Sequence, residues 1–235
     1  MKNLNIFSSV TEYENAKSGG VLNKPNVSFI NEYSSVRYLD VDPYNGHEYV
    51  DLGLPSGLKW ATYNIGASSP EQVGLYFAWG ETTGYTAKQV TSGVRAFKSA
   101  SYTASAISAD LTLEHDAAHV NLGGNWRMPT KAEYQELIDN TTQTWTTDYN
   151  GTRVKGKVFT SKVNGNSVFF PLSGYCLNCS MNYVGEYGSY GYCWSASWES
   201  SIAAWFLSFH SGQEPGGMDD SYRRYVGIPV RGVCE

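Results

Sequence analysis

The strongest helical pattern in the chain lies in the stretch NWRMPTKAEYQELIDN. Tyr134, Leu137 and Ile138 recur there at the spacing of one helix face. Thr130 and Glu133 stand just before them as a capping box, in which each side chain binds the backbone of the other residue. The sequence therefore predicts an amphipathic helix that begins after Thr130.

The second half of the chain follows the two-residue period of β-strands. The stretch GKVFTSKVNGNSVFFPLSG predicts a hairpin around Asn164-Gly165. In residues 204–210, apolar and mixed positions alternate, which predicts a strand with one face in the core and the other outside it. The core positions are Trp205, Leu207 and Phe209, and the alternate ones are Phe206, Ser208 and His210. A last strand carries Val226, Ile228 and Val230 on one side.

The first half contains shorter elements. A capping box, Ser9 to Glu12, and the stop Gly19-Gly20 predict a short helix, and NVSFINEYSSVRYLDV predicts one or two strands. The stretch YVDLGLPSGLKWATYNIG predicts a strand, a turn and a strand, whereas residues 84–112 have weak periodicity and predict a long loop. We expect an N-terminal extension over residues 1–45 and one α+β domain over residues 46–235.

Composition narrows the function classes. Aromatic residues make up 14% of the chain, with 18 Tyr and 7 Trp, and tyrosine-rich surfaces are typical of binding loops. The formal charge is −5 and no Lys/Arg run occurs, which argues against a nucleic-acid partner. No stretch has the pattern of a secretory signal or a membrane span. We expect synthesis in the cytoplasm without membrane insertion, and later release in a virion or display at a surface stays open.

The four cysteines leave several interpretations open. Cys176 and Cys179 form one C-x-x-C, but Cys193 and Cys234 supply no second pair at metal-ligand spacing. A redox pair, a zinc site and disulfides are the functional interpretations. Thiols that serve as small apolar residues fit cytoplasmic synthesis better, and we favour them.

Two other clusters resemble metal ligands only weakly. His115 and His119 would share one face of a helix, but no glutamate lies between them as in zinc peptidases, so we favour surface histidines. Glu214, Asp219 and Asp220 would suit calcium, but their Gly- and Pro-rich setting favours a solvated loop tip. No motif pairs a nucleophile with a base. We therefore expect no metal, no cofactor and no catalysis.

Several stretches together resemble one protein family. They are YVDLGLPSGLKWATYNIGA, GLYFAWGET, DAAHVNLGGNWRMPTKAEYQELI, FTSKVNGNSVFFPLSGY, GYCWSAS and RYVGIPVRGV, and they span roughly residues 46 to 233. In this order they are similar to the Fibrobacter-type major paralogous domain of gut Bacteroidetes and their phages. The resemblance implies a C-type-lectin fold of the formylglycine-generating-enzyme type, with short helices and a twisted antiparallel sheet.

Some members of this class are variable proteins of diversity-generating retroelements, in which a reverse transcriptase randomises adenines near the C-terminus. By this resemblance Trp194, Trp205, Leu207 and Phe209 form an invariant frame, and Trp198 belongs to the fixed template. The ligand-binding surface would then consist of Trp198 together with the diversified residues Ser200, Ser201, Ile202, Phe206, Ser208, His210, Asp219, Asp220, Ser221, Tyr222 and Tyr225.

The resemblance implies a non-enzymatic protein that binds a protein or glycan receptor on a cell surface, as a phage tail tip or a displayed adhesin. Calcium-dependent sugar-binding lectins carry Glu-Pro-Asn and Trp-Asn-Asp, whereas this chain has QEPGG and AWFLS, so that sugar site is not expected. One alternative is a formylglycine-type oxidase that uses Cys176 or Cys179. Another is a structural or adhesin module without a diversified site, whose face packs on neighbouring subunits, and a homo-oligomer stays open.

Overall fold

The part of the chain that the computed structural model describes contains five small antiparallel sheets and three short α-helices, joined by turns, loops and 3-10 turns. That part is residues 26–32, 35–41, 44–178, 190–211 and 217–235, with side chains described from Tyr44 onward except at 219–221. The architecture is α+β, as the sequence predicts. None of the described helices is long and apolar enough to cross a membrane.

Thirteen strands and three α-helices are numbered in chain order. The strands are β1 Asn26–Glu32, β2 Ser35–Val41, β3 Tyr49–Asp51, β4 Lys59–Ala61, β5 Tyr76–Phe77, β6 Thr141–Thr146, β7 Gly156–Ser161, β8 Ser167–Pro171, β9 Tyr190–Trp198, β10 Ala203–His210, β11 Gly217–Arg223, β12 Ile228–Pro229 and β13 Val233–Cys234. The helices are α1 Ala87–Thr91, α2 Ala117–Leu122 and α3 Lys131–Asn140. The sheets have the strand orders β1-β2, β11-β10-β9, β12-β5, β13-β4-β3 and β6-β7-β8.

The predicted helix is confirmed as α3. The Thr130 hydroxyl accepts from the Glu133 amide at 3.2 Å, and the Glu133 carboxylate accepts from the Thr130 amide at 2.7 Å. The helix buries the three predicted residues, Tyr134, Leu137 and Ile138. Capping satisfies backbone donors that the first turn leaves without partners, so the helix begins where the sequence predicts.

The predicted hairpin is confirmed as β7–β8. Gly165 has a φ of +78°, which a glycine adopts without strain, and the Asn164 side chain accepts from the Asn166 amide at 3.0 Å. The predicted strand–turn–strand is confirmed as β3 and β4. The two N-terminal strands are confirmed as β1 and β2, whereas the helix predicted near Ser9 lies outside the described residues.

The long loop predicted over residues 84–112 contains one α-helix and one 3-10 turn, Ser99–Ser101, which the prediction missed. Helix α1 begins with a second capping box, in which Thr86 pairs with Gln89. Its only buried residue is Val90, so it carries too little apolar periodicity to be recognised from hydrophobic positions.

The β9–β10–β11 sheet lies between two hydrophobic clusters. On one face, Leu207 and Phe209 pack with α3 and the β7–β8 hairpin. On the other face, Phe206 packs in a cluster that includes Trp194 and Ile228. Both faces of the sheet are therefore covered.

The prediction that β10 has one open face is consequently wrong. Phe206 is only 3% exposed and Ser208 only 4% exposed. Trp205, expected in the core, is half-buried, and the Lys131 ammonium lies 3.1 Å from its ring centroid. The pairing of β10 with both neighbours is irregular between Ala204 and Phe206, and this bulge lies at Trp205.

Candidate functional site

The candidate site begins at the turn between β9 and β10. We call the surface formed by residues 198–202, Tyr222, Arg223 and Tyr225 the hairpin end. Ile202 is 72% exposed, which makes it the most exposed large apolar side chain in the described part of the chain. Ser201 and Arg223 are also exposed, whereas Trp198, Tyr222 and Tyr225 are half-buried. Arg223 donates from Nη1 to the Tyr225 hydroxyl at 2.7 Å.

Main-chain atoms and the Ser200 hydroxyl hold this turn in place. The Ser200 amide donates to the Ala203 carbonyl at 3.1 Å, and the Ser200 hydroxyl accepts from the Ala203 amide at 3.2 Å. The Ile202 carbonyl accepts from the Arg224 amide at 3.0 Å, and the Ser201 carbonyl accepts from Arg224 Nη2 at 2.7 Å. The bonds that fix positions 201 and 202 therefore use backbone oxygens, which every amino acid supplies.

Arg224 connects the hairpin end to the long loop. Its side chain is 2% exposed, and it donates from Nη1 to the Ile107 carbonyl at 2.6 Å and from Nη2 to the Ser105 carbonyl at 3.0 Å. Its guanidinium carbon lies 5.4 Å from the Trp79 ring centroid and 5.7 Å from that of Tyr102. Carbonyl dipoles and aromatic faces thus compensate for the loss of solvent at Nη1 and Nη2, whereas the buried Nε has no hydrogen-bond partner among the described residues.

A second connection joins β9 to the same loop. The Trp198 amide donates to the Asp110 carboxylate at 2.8 Å, and the Leu111 amide donates to the Ala196 carbonyl at 2.9 Å. The hairpin end and residues 105–111 are therefore joined through both a side-chain network and a backbone pairing.

Aromatic side chains cover one face of the sheet farther along β9 and β10. We call Tyr175, Tyr190, Tyr192 and Tyr222 the tyrosine cluster. Tyr192 lies 5.8 Å from Tyr175 and 6.0 Å from Tyr190, measured between ring centroids. Tyr222 lies 4.8 Å from Tyr175 and 6.4 Å from Tyr192. Tyr190, Tyr192 and Tyr222 are half-buried, so the cluster has an accessible side.

The tyrosine cluster rests on the buried Phe206. The Phe206 ring lies 5.7 Å from Tyr192, 5.8 Å from Tyr222 and 5.8 Å from Trp194. His210 stands opposite Tyr190 in the β-ladder, with 4.9 Å between the ring centroids. Phe206 therefore supports the aromatic surface from below and is part of the frame.

Two tryptophans and a glycine fix β9 itself. Trp194 donates from Nε1 to the Phe77 carbonyl at 2.9 Å, and Trp79 donates from Nε1 to the Ser195 carbonyl at 2.9 Å. A Cβ added at Gly191 would lie 2.0 Å from the Phe209 ring, so only glycine fits at this position of β9. These contacts set the position of the strand from which the candidate site extends.

The structure places the predicted surface residues in three groups. The exposed ones are Ser201 and Ile202, and the half-buried ones are Trp198, Ser200, His210, Tyr222 and Tyr225. Phe206 and Ser208 are buried, so the prediction that they belong to the surface is wrong. Asp219, Asp220 and Ser221 belong to β11, but their side chains lie outside what the structure describes.

Sequence reasoning missed Tyr175, Tyr190, Tyr192 and Arg224. The tyrosines at 190 and 192 do carry a signal, since their two-residue spacing places both on one face of a strand. Arg224 carries none, because its acceptors are backbone carbonyls at distant positions.

The described cysteines are buried thiols, as the favoured interpretation predicts. Burial raises the pKa of Cys176 to about 12. Burial also raises the pKa of Cys193 to about 11, although Tyr134 and Arg231 act in the opposite direction. Protonated thiols at these two positions are poor nucleophiles and poor metal ligands. Cys179 lies outside the described residues.

The two histidines do not share a helix face. His115 ends a 3-10 turn, and Asp116 then caps α2 by accepting from the Ala118 and His119 amides at 2.8 and 2.9 Å. His119 Nδ1 lies 3.1 Å from the Trp126 carbonyl. Within the described ranges, no group of three or more His, Cys, Asp or Glu residues is arranged to hold a metal ion. Glu214 lies outside those ranges.

A cavity of about 360 Å³ lies elsewhere, at the end of α2 and the residues that follow β4. Its lining includes His47, Tyr63, Asn64 and Asn121, and it includes no residue of β9, β10 or β11. The Asn64 carboxamide donates to the Val73 carbonyl and accepts from Arg231 Nε, and so it serves the fold. We therefore place the candidate site on the sheet.

Comparison with known proteins does not indicate a family for this chain. No known family, no curated protein and no solved structure matches this chain. A functional proposal therefore rests on the geometry of the hairpin end and the tyrosine cluster.

Proposed function

We propose that this protein is a non-enzymatic binding protein that presents a changeable surface on a C-type-lectin-like frame. The ligand is a protein or glycan receptor on a cell surface, and it meets the hairpin end and the accessible side of the tyrosine cluster. The observation that carries the proposal is the turn at residues 199–202. Backbone oxygens and the Ser200 hydroxyl hold it, while the Ser201 and Ile202 side chains are exposed to solvent.

Such a turn suits binding because its two exposed side chains, Ser201 and Ile202, are not the groups that hold it. Substitutions at exposed positions without structural partners usually change stability by about 0.5 kcal/mol or less. Half-buried aromatic residues beside them, such as Trp198, Tyr222 and Tyr225, supply the large rigid contact area that dominates most interfaces. The arrangement therefore allows specificity to change without loss of the fold.

The hydrogen bonds and apolar contacts that hold β9 in place involve residues in the stretches on which the family resemblance rests. Trp79 belongs to GLYFAWGET and Trp194 to GYCWSAS, and their indoles hydrogen-bond across to each other's segment. Ile228 and Val230 belong to RYVGIPVRGV and pack in the same cluster as both indoles. This agreement between motif and core supports a C-type-lectin-like fold, which we include in the proposal.

The oxidase alternative fits the described residues less well, and the structural-module alternative differs from the proposal in what covers Ile202. An oxidase of the formylglycine type needs a reactive thiol, whereas burial raises the pKa of Cys176 to about 12 and that of Cys193 to about 11. A purely structural module would bury the hairpin end against a neighbouring subunit, and a solvated Ile202 would then be an interface residue.

Binding to intact cells tests the proposal. The fluorescently labelled chain is incubated with a panel of gut Bacteroidetes strains and measured by flow cytometry. We expect at least one strain to bind, and the double variant Ile202→Asp with Tyr225→Ser to lose about tenfold or more in affinity. The matched control is Val163→Asp with Tyr49→Ser, which also changes an exposed aliphatic residue and an accessible tyrosine. Absence of binding to every strain, or equal loss in both variants, would contradict the proposal.

A further inference from the structure

One tripeptide occurs twice in the chain in nearly the same conformation. Residues 44–46 and 149–151 both read Tyr-Asn-Gly. The asparagine φ is +49° in the first and +50° in the second, and the glycine φ is +76° and +77°. In both turns the tyrosine carbonyl accepts from the amide that follows the glycine, at 2.9 Å from His47 and at 3.0 Å from Thr152. Local sequence and backbone geometry are therefore matched, and what differs is the surroundings of the two turns.

The surroundings hold one asparagine side chain and leave the other without a tether. Asn45 is half-buried, and its carboxamide donates to the Leu122 carbonyl at 2.6 Å. Asn150 is exposed, and no hydrogen bond within the described part of the chain uses its carboxamide. The sequence has a third Asn-Gly pair at Asn164, whose carboxamide donates to the Asp51 carbonyl at 2.9 Å. The three Asn-Gly pairs therefore differ in the freedom of the asparagine side chain.

That freedom matters for a reaction of the Asn-Gly dipeptide with itself. The backbone nitrogen of the glycine loses its proton to solvent base and bonds to the asparagine Cγ, and the side-chain nitrogen leaves as ammonia. Glycine favours this step because it has no Cβ to hinder the approach. Water then opens the succinimide ring at either carbonyl and leaves aspartate or isoaspartate. A hydrogen bond that holds the carboxamide elsewhere opposes the first step.

We propose that Asn150 is a site of spontaneous deamidation in the native protein, and that Asn45 and Asn164 are protected by the hydrogen bonds of their side chains. The product carries an additional negative charge in the connection between β6 and β7. Isoaspartate also lengthens the backbone by a methylene group next to Tyr149, whose ring stacks on that of Phe169 with 3.9 Å between the centroids. The inference does not depend on the proposed function.

The full chain, incubated in buffer at pH 8 and 37 °C, provides the test. Samples taken over days are digested with trypsin at mildly acidic pH, which slows further deamidation, and mass spectrometry follows the conversion at each of the three asparagines. The same incubation in guanidinium chloride is the matched control, because unfolding removes the hydrogen bonds and leaves two identical tripeptides. Asn150→Gln is a second control, since the longer side chain closes a ring much more slowly, and isoelectric focusing compares it with the natural protein.

In the native chain we expect Asn150 to convert about fivefold or more faster than Asn45 and Asn164, and after unfolding we expect Asn45 to convert within about twofold of Asn150. An acidic band should accumulate in the natural protein and not in Asn150→Gln. Comparable native rates at Asn150 and Asn45 would overturn the inference. A difference that persists after unfolding would do the same, because it would not come from the fold. An acidic band of equal intensity in Asn150→Gln would place the reaction elsewhere and also overturn it.

Discussion

Trp79 and Trp194 exchange hydrogen bonds between two distant segments of the chain. Each indole donates at 2.9 Å to a backbone carbonyl beside the other tryptophan, Ser195 for Trp79 and Phe77 for Trp194. Both side chains are almost completely buried. The pair therefore fixes β9, from which the candidate site extends, against the segment that follows β5.

Loss of either indole donor should be costly. We expect Trp79→Phe and Trp194→Phe each to lower the free energy of unfolding by about 2–4 kcal/mol, because each leaves a buried carbonyl without its donor and a space beside it. Trp205→Phe is the control, since that ring is half-buried and contacts Lys131, and it should cost about 1 kcal/mol. Urea unfolding followed by circular dichroism measures all three, and equal losses would refute the role of the pair.

Substitutions at exposed positions of the β9–β10 hairpin should leave the free energy of unfolding almost unchanged, whereas substitutions at its buried positions should lower it. We expect Ser201→Tyr combined with Ile202→Asp to change the free energy of unfolding by about 0.5 kcal/mol or less, since backbone oxygens and the Ser200 hydroxyl hold the turn and both substitutions leave them in place. Phe206→Ser should lower it by about 3–5 kcal/mol, since that ring supports the tyrosine cluster. Chemical unfolding of both variants checks this, and a stable Phe206→Ser protein would mean that Phe206 is not part of the frame.

Arg224 should control the order of the β9–β10 turn and of residues 105–110 together. We expect Arg224→Gln to lower the free energy of unfolding by about 2–4 kcal/mol and to accelerate amide hydrogen exchange in both places. Arg224→Lys should not restore protection, because an ammonium cannot span three carbonyls as a guanidinium does. Arg223→Gln is the control at the exposed neighbour. Faster exchange in only one of the two segments would show that Arg224 does not connect them.

Glu133 should make the fold acid-sensitive. Burial acts to raise the pKa of this carboxyl, but hydrogen bonds from Arg127 at 2.7 and 2.8 Å and from Thr130 lower it below its ordinary value of 4.5. A lowered pKa means that the contribution to stability is fully present above about pH 4.5 and is lost as the pH falls through the folded value. Glu133→Gln should be less stable than the natural protein at pH 7, by about 1 kcal/mol, and this gap should narrow toward pH 3. A gap that is constant from pH 7 to 3 in urea titrations would refute the ionic role.

The buried thiols should be unreactive in the native protein. With Cys176, Cys193 and Cys234 buried, we expect Ellman's reagent at pH 8 to titrate at most one thiol before unfolding and four in urea. Cys179→Ser should reduce the native count to zero. Two or more reactive native thiols would revive the oxidase alternative.

The elements that sequence predicts best are those in which local signals agree. Helix α3 has both a capping box and an apolar face, and the β7–β8 hairpin has Asn-Gly at its turn. Helix α1 was missed because a capping box without an apolar stripe is a weak signal.

The candidate site was predicted only in part, for two physical reasons. The two-residue period shows which residues of β10 share a face, but it does not show that Trp79 and Ile228 cover the face that holds Phe206. The role of Arg224 was not predicted either, because backbone carbonyls at positions 105, 107 and 201 leave no mark in the sequence.

The central claim is that side chains at the hairpin end change while the frame stays constant, and the DNA around the gene tests it most directly. We predict a neighbouring reverse-transcriptase gene and a near-copy of the codons for residues 175–233. The copy should differ only at adenines, with differences in the codons of Ser201, Ile202, Tyr222 and Tyr225 and none in those of Trp194 and Phe206. A flanking region without such a copy, or differences that fall equally on the buried frame, would contradict the account.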